Sequence, residues 1–265
     1  GCGKTTLLKC LCGIHPVKEG SIRIQEKEIV YSSPEKRNMG YVPQTLDLFS
    51  HLTVRENIAF GLSFRKISGK EKHERIDRYL DFFSISHLQN RNIHTLSGGE
   101  SRRVAMARGL ASEPSLLLLD EPLSMLDPNG RKEVMDALGK IRRDLMIPMI
   151  LVTHDRQEAW ELGTSWAIML AGRIFDFGSP DRVFRKPCCA STARFLEAEN
   201  LFPGSVFGLS NGYAVLRPEC IRIGHPSAGL VEGKILRIQD RGEFLSVQVE
   251  TRPQTIIKVF HPVHG

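Results

Sequence analysis

Residues 96–121 begin Leu96-Ser97-Gly98-Gly99-Glu100-Ser101-Arg102-Arg103 and end Leu116-Leu117-Leu118-Leu119-Asp120-Glu121. The stretch opens with a turn suited to phosphate and closes on two carboxylates. Ser97 and Glu100 have the S-x-x-E spacing of a capping box, in which the hydroxyl accepts a helix amide and the carboxylate reaches back to the cap. Gly98 and Gly99 leave the backbone bare where an anion can approach the open amides of a helix start. Val104, Ala105, Ala107, Leu110 and Ala111 then form an apolar stripe on a helix that also carries Arg102, Arg103 and Arg108. Pro114 ends that helix. The leucine run predicts a strand buried on both faces, as in a parallel sheet. Acidic residues at its C-terminal end stand where open α/β sheets bind ligands.

The totals are compatible with such a fold. The chain has 265 residues, 41% hydrophobic and 25% charged, which is the composition of folded domains and leaves room for one large domain or two smaller ones. No apolar run approaches the roughly 18 residues that a membrane-spanning helix requires. The net charge of +6 would suit nucleic acid or an anionic surface. Basic residues alternate with acidic ones, however, as in Glu71-Lys72-His73-Glu74-Arg75, and that pattern reads as a solvated helix face. Cys2, Cys10, Cys12, Cys188, Cys189 and Cys220 fit neither a paired C-x-x-C zinc site nor a secreted disulfide framework. Free thiols in a reducing compartment are the expectation.

Upstream, Gly1-Cys2-Gly3-Lys4-Thr5-Thr6 matches the second half of the P-loop pattern G-x-x-x-x-G-K-[ST]. The glycines let amides curl around phosphate oxygens, Lys4 reaches the β- and γ-phosphates, and Thr5 binds Mg²⁺. Leu7, Leu8, Leu11 and Ile14 continue into a helix whose positive end faces the phosphates. The first P-loop glycine and its strand are expected before Gly1, so an N-terminal truncation is expected too. Ser21–Ile24 alternates as a short strand, and Met39 to Gln44 reads as a strand ending on a polar residue. Thr53-x-x-Glu56 is a second capping box, opening a helix to about Leu62. An amphipathic helix is expected from Lys70 to about Phe83, and 46–95 is expected to form a mainly helical insert.

Downstream, Asp127 is expected to cap a helix with Pro128 in its first turn, running to about Leu145. Pro148 to Val152 predicts a second buried strand, with His154 at its tip. Trp166–Leu170 and Arg173–Phe177 predict a hairpin over Ala171-Gly172, and Ser179-Pro180 starts a short helix. Near Glu199 the texture changes to short alternating strands: Tyr213–Leu216, Cys220–Ile223, Gly233–Gln239, Glu243–Glu250 and Gln254–Phe260. These predict a small β-barrel or sandwich.

In this order the motifs resemble those of the ATP-binding subunit of ABC transporters. Gly1–Thr6 resembles the Walker A end, Gln44 the Q-loop, and Leu96–Glu100 the family signature, with Glu100 where glutamine is commoner. Leu116–Glu121 resembles Walker B with the adjoining catalytic glutamate, Ser124–Asp127 the D-loop, and His154 the H-loop. The implied fold is an α/β P-loop NTPase cassette over 1–195 with a helical subdomain at about 46–95 and its first strands missing. Residues 200–265, with Leu216-Arg217-Pro218-Glu219, resemble the small all-β, OB-like TOBE domain of a subset of importers, here expected to be incomplete. Ile85-Ser86-His87-Leu88, Thr95 to Glu100 and Ala198 to Gly204 resemble the molybdate/tungstate branch of that subset.

The resemblance implies ATP and Mg²⁺ as cofactors. Gly1, Cys2, Gly3, Lys4, Thr5 and Thr6 of one copy would hold the phosphates, and Ser97, Gly98, Gly99 and Asp127 of a second copy would close over them. Thr5, Gln44 and Asp120 would hold Mg²⁺, Asp120 through water. Glu121 would polarise the attacking water, His154 would steady the γ-phosphate, and Gln44 would link the site to the helical insert. A carboxylate at position 100 that capped its own helix would be turned from the phosphates. The implied partners are a second ATPase subunit forming a homodimer, membrane-spanning permease subunits and a periplasmic or extracellular solute-binding protein, with no nucleic acid. The implied location is the cytoplasmic face of the membrane. A fragment without the first strands and the adenine-stacking aromatic would bind ATP weakly. Importers of sulfate, iron, polyamines or sugars are the alternative. A soluble ABC ATPase of DNA repair or translation is a rival of another class, disfavoured by the short insert before Ser97 and the single cassette. A regulator whose C-terminal domain binds an oxyanion is the third reading.

Overall fold

The computed structural model describes residues 2–24, 26–63, 65–207, 210–224, 231–251 and 255–262. The chain forms two compact units, Gly1–Gly163 and Thr164–Gly265.

In the first unit, α1 (Lys4–Leu11) starts from Gly3, whose φ of 93° is a left-handed conformation that glycine adopts without strain. A small antiparallel pair follows, β1 (Arg23–Ile24) with β2 (Lys27–Glu28). Strands β3 (Met39–Val42), β4 (Leu116–Asp120) and β5 (Met149–Val152) make a parallel sheet in the order β3-β4-β5. Val42 pairs with Leu119, and Asp120 with Val152. The leucine run is buried on both faces as predicted. Leu117 and Leu119 enter the main core, while Leu118 packs with Leu8, Cys12 and Val152 under α1.

Between β3 and β4 lie α2 (Val54–Phe60), α3 (Gly69–Phe82) and α4 (Gly98–Ala111). Thr53 and Glu56 form the expected capping box on α2, and Ser68 caps α3. Asn57 is fully buried and satisfied: its carbonyl accepts the Phe49 amide at 2.8 Å and its amide donates to Thr53 O at 2.9 Å. This pins the loop that leads back to Gln44. Burial on α4 exceeds the predicted stripe, taking in Gly99, Arg102 and Met106 as well.

After β4 comes α5 (Pro128–Lys140), which passes into a π-turn at Ile141–Leu145 and stops at Met146, with φ 50°. Two corrections apply at its start and end. Asp127 occupies the N-cap position, but its carboxylate makes no capping hydrogen bond. The single helix expected to about Leu145 changes pitch after Lys140. Helix α6 (Arg156–Leu162) closes the unit, capped by Asp155, which accepts the amides of Gln157 and Glu158.

The second unit begins with the expected hairpin, β6 (Trp166–Leu170) and β7 (Arg173–Gly178), turned by Ala171 and Gly172 with φ 46° and 78°. Two positive φ angles in succession are the backbone of a tight two-residue hairpin turn. Helices α7 (Pro180–Arg185) and α8 (Ala190–Phe195) follow. Then β8 (Asn200–Pro203) pairs with β9 (Tyr213–Leu216), and β10 (Gly233–Asp240), β11 (Phe244–Thr251) and β12 (Thr255–Pro262) form a meander. Asn200, 1% exposed, bonds Leu216 O and both backbone groups of Lys258, tying β9 and β12 to β8.

The strand predicted over Cys220–Ile223 is absent. Pro218 lacks an amide proton and starts a 3₁₀ turn to Cys220, and Ile221 to Gly224 pair with nothing regular. Gln254, predicted to open the last strand, lies outside the described residues. Among the described residues no helix is long and apolar enough to cross a membrane.

Candidate functional site

The parallel sheet positions the chemistry. Its C-terminal edge carries Gln44 two residues past β3, Glu121 directly after β4, and His154 two residues past β5. Because the strands are neighbours in the order β3-β4-β5, these side chains converge. Gln44 Nε2 donates to Glu121 Oε2 at 3.1 Å, and His154 Nδ1 lies 3.3 Å from Oε1. Each oxygen of the carboxylate is thus held by a different loop. Glu121 itself sits at φ 47°, sparsely populated for a side chain of this kind and characteristic of functional sites. Its amide bonds Val152 O at 2.9 Å, which fixes the turn. The His154 side chain is 70% exposed. With Nδ1–H donating to Glu121, Nε2 is left for a ligand and donates to it only in the imidazolium.

Asp120 is 2% exposed, and its Oδ1 is buried without a hydrogen-bond partner. The Tyr41 hydroxyl, also buried and unpartnered, lies close by; burial first and the Asp120 charge second push its pKa up. A buried carboxylate oxygen without a donor, on the strand against which the helix that carries Thr5 packs, fits a hard divalent cation such as Mg²⁺. Lys4 Nζ rests 3.4 Å from Cys2 Sγ, and Thr5 and Thr6 are exposed in the first turn of α1, whose open amides favour an anion. Gly1 lies outside the described residues.

On α4 the predicted capping box is complete. The Glu100 amide donates to Ser97 Oγ at 3.2 Å, and the Ser97 amide donates to Glu100 Oε2 at 2.7 Å. The Ser97 amide, then its hydroxyl, hold the Glu100 carboxyl below its ordinary pKa. Glu100 therefore faces its own helix, leaving Gly98 and Gly99 as the open backbone. A Cβ on Gly99 would lie 3.0 Å from Gly130 Cα, so the starts of α4 and α5 meet backbone to backbone. Among the described residues no hydrogen bond or ion pair joins Ser97–Gly99 to Lys4–Thr6. The geometry brings Gln44, Asp120, Glu121 and His154 together.

Several supports escaped sequence reading. Arg102, 4% exposed, donates to Gln44 O at 3.1 Å and Ser124 O at 3.2 Å, holding both loops that flank Glu121. Arg108 does the same for Leu46 O and Asp47 O, each at 2.7 Å. Arg131 on α5 bridges Asp155 at 2.6 Å and Glu158 at 3.0 Å, both at the start of α6 just after His154. Burial would raise the Asp155 carboxyl, but Arg131 and the α6 amides hold it down; burial prevails at Glu158, which is pushed up. The only sequence signal for these struts was arginine on faces otherwise apolar.

Comparisons with known proteins bear on the family of the chain. Residues 1–124 match the family model described as ABC transporter. The molybdate/tungstate import ATP-binding protein WtpC of Pyrococcus abyssi is 38% identical over 99% of this chain and 71% of its own length. The sulfate/thiosulfate import ATP-binding protein CysA of Thermosynechococcus vestitus is 37% identical over 95% of this chain and 76% of its own. Among solved structures, an ATP-binding cassette captured as a dimer in a post-hydrolysis state with ADP and Pi is similar, with TM-score 0.60 and 27% identity over 68% of this chain and 81% of that one.

Proposed function

This chain belongs to the ABC transporter family as the ATP-hydrolysing subunit of an importer, and we propose that the solute whose uptake it drives is molybdate or tungstate. Support for the oxyanion comes from the P. abyssi relative, whose similarity runs the length of this chain. The likeness to a sulfate importer's subunit makes sulfate a competing solute, as iron and polyamines are by other relatives.

The observation that carries the enzymatic reading is Glu121, held at 3.1 Å by Gln44 and 3.3 Å by His154 beside buried Asp120. Catalysis in phosphoryl transfer is positioning and charge neutralisation more than covalent chemistry. Glu121 orients the attacking water and takes up its proton. Gln44 and His154 keep the carboxylate aimed; Gln44 Oε1 and His154 Nε2 remain for the ligand side. Lys4, Thr5 and Thr6, with Cys2, Gly3 and Gly1, hold the phosphates. Asp120, Thr5 and Gln44 hold Mg²⁺, which neutralises phosphate charge when bound. Ser97, Gly98, Gly99 and Asp127 act on the nucleotide of a second copy; that no hydrogen bond or ion pair among the described residues joins Ser97–Gly99 to Lys4–Thr6 supports that reading.

Residues 1–195 act as the cassette with its helical subdomain at 46–95, and 200–265 as an OB-like, TOBE-type domain. The partners are a second copy, permease subunits and a solute-binding protein, with the chain on the cytoplasmic face of the membrane. Tyr41, Asp47, Phe49, Phe60 and Arg108 line an open groove of about 330 Å³ that suits a permease segment. Arg108 lies over the Phe49 ring at 5.5 Å, and Phe49 meets Phe60 at 4.4 Å, so the groove offers aromatic surface with a fixed cation.

The test is ATPase activity of the assembled transporter in liposomes with its permease and binding protein. Molybdate or tungstate should stimulate it and sulfate, ferric iron and putrescine should not. Stimulation by one of the latter alone would overturn the solute and leave the importer standing.

A further inference from the structure

Lys186-Pro187-Cys188-Cys189 leads from α7 into α8, and neither thiol serves nucleotide chemistry. The segment is firmly held. Asp176 on β7, 4% exposed, accepts the Cys188 amide at 2.7 Å and also pairs with Arg182. Thr192 on α8 is fully buried, and its hydroxyl lies 3.4 Å from Cys189 Sγ and 3.8 Å from Cys188 Sγ. Those thiols are its side-chain partners among the described residues. Cys188 Sγ also reaches Phe175 O. Both sulfurs therefore converge on the Thr192 hydroxyl, in a residue pair of which Cys188 is exposed and Cys189 half-buried. The Thr192 hydroxyl draws the Cys189 thiol below its ordinary pKa, while burial pushes Cys188 up. The two thiols are unequal, Cys189 being the readier thiolate.

A disulfide between them is disfavoured. Adjacent Cα atoms across a trans peptide are about 3.8 Å apart, whereas disulfides place them roughly 4.4–6.8 Å apart. One atom bridging two sulfurs makes no such demand. We propose that Cys188 and Cys189 form a vicinal-dithiol site that binds a trivalent arsenical.

With an arsenoxide, Cys189 attacks first and Cys188 closes the ring. Two S–As bonds form, the As=O bond breaks, and its oxygen leaves as water with both thiol protons. Arsenic stays trivalent and no electrons are exchanged. The second bond is intramolecular, so the chelate holds far more tightly than either thiol alone.

The probe is phenylarsine oxide at one equivalent on the folded chain. Intact-mass measurement should show one adduct per chain. Iodoacetamide mapping of the wild-type adduct should find Cys188 and Cys189 both protected while Cys2, Cys10 and Cys220 still react. C188S and C189S should each weaken binding on the order of a hundredfold, with C10S unchanged. A small dithiol should strip the adduct, and a monothiol in excess should not. Protection of any other cysteine, the absence of a stoichiometric adduct, or wild-type affinity in either variant would overturn the site. The protection map needs no substitution, so it decides the matter even if a variant misfolds.

Discussion

Glu121, the proposed catalytic base, is one carboxylate whose direction is fixed from two loops. Glu121→Gln keeps the size and the bond from one flanking loop but removes the base. It should retain ATP binding while lowering turnover by about 10²–10⁴-fold, read from single-turnover hydrolysis by the assembled transporter beside a nucleotide-binding measurement. Near-normal turnover would remove Glu121 from its role. Arg102 acts one step back. Its guanidinium is buried, burial lowers its pKa, and two backbone carbonyls depend on it. Arg102→Met leaves those carbonyls without donors and should cost roughly 2–3 kcal/mol of stability, measured by urea unfolding. It should also reduce turnover more than ATP affinity, because Gln44 loses its anchor. The motif residues were legible because phosphate chemistry restricts residue type. Arg102 was not, because a buried arginine serving carbonyls from distant loops leaves no local pattern.

At the scale of elements, the helices begin where side chains can satisfy their open amides. Thr53–Glu56 and Ser97–Glu100 close capping boxes with bonds of 2.8 Å and 2.7 Å to the cap amides. Backbone bonds hold both glutamate pKa values below the ordinary one. A carboxylate depressed in the folded state adds stability that is fully present above its unfolded pKa of about 4.3 and is lost as pH falls through the folded value. Thermal unfolding of the E56Q/E100Q double variant should therefore depend less steeply on pH below about 4.3 than the wild type; parallel pH profiles would show the boxes to be irrelevant to acid stability. Capping boxes were readable because their partners lie three residues apart. The strand expected at Cys220–Ile223 failed because alternation alone ignores the missing amide of Pro218. The strand at Asn200–Pro203 went unread because it is made by pairing with Tyr213–Leu216 and pinned by the Asn200 side chain on Leu216 and Lys258, which are distant in sequence.

At the scale of the whole molecule, no hydrogen bond or ion pair among the described residues joins Ser97–Gly99 to Lys4–Thr6, so nucleotide closure is expected to need a second chain. ATP with the hydrolysis-defective Glu121→Gln protein should shift it from monomer to dimer in sedimentation velocity, and adding Ser97→Arg, which fills the turn with a long side chain, should abolish the shift. A persistent monomer under saturating ATP would count against the homodimer. Apolar side chains remain on the surface of the second unit, with Ile235, Leu236 and Ile238 on edge strand β10 each 45–56% exposed.

The order of motifs along the chain was enough to specify the nucleotide-binding class, the parallel sheet and the capped helices. Each rests on residue type at short spacing: glycines where backbone meets phosphate, serine or threonine with glutamate three residues on, leucines where both faces are covered. The folded arrangement alone showed that Gln44 and His154 grip opposite oxygens of Glu121. It alone placed Arg102 beneath two loops and gathered Cys188 and Cys189 on Thr192. Sheet order and helix packing bring such groups together across tens of residues, and a contact made by packing has no periodicity along the chain by which it could be read.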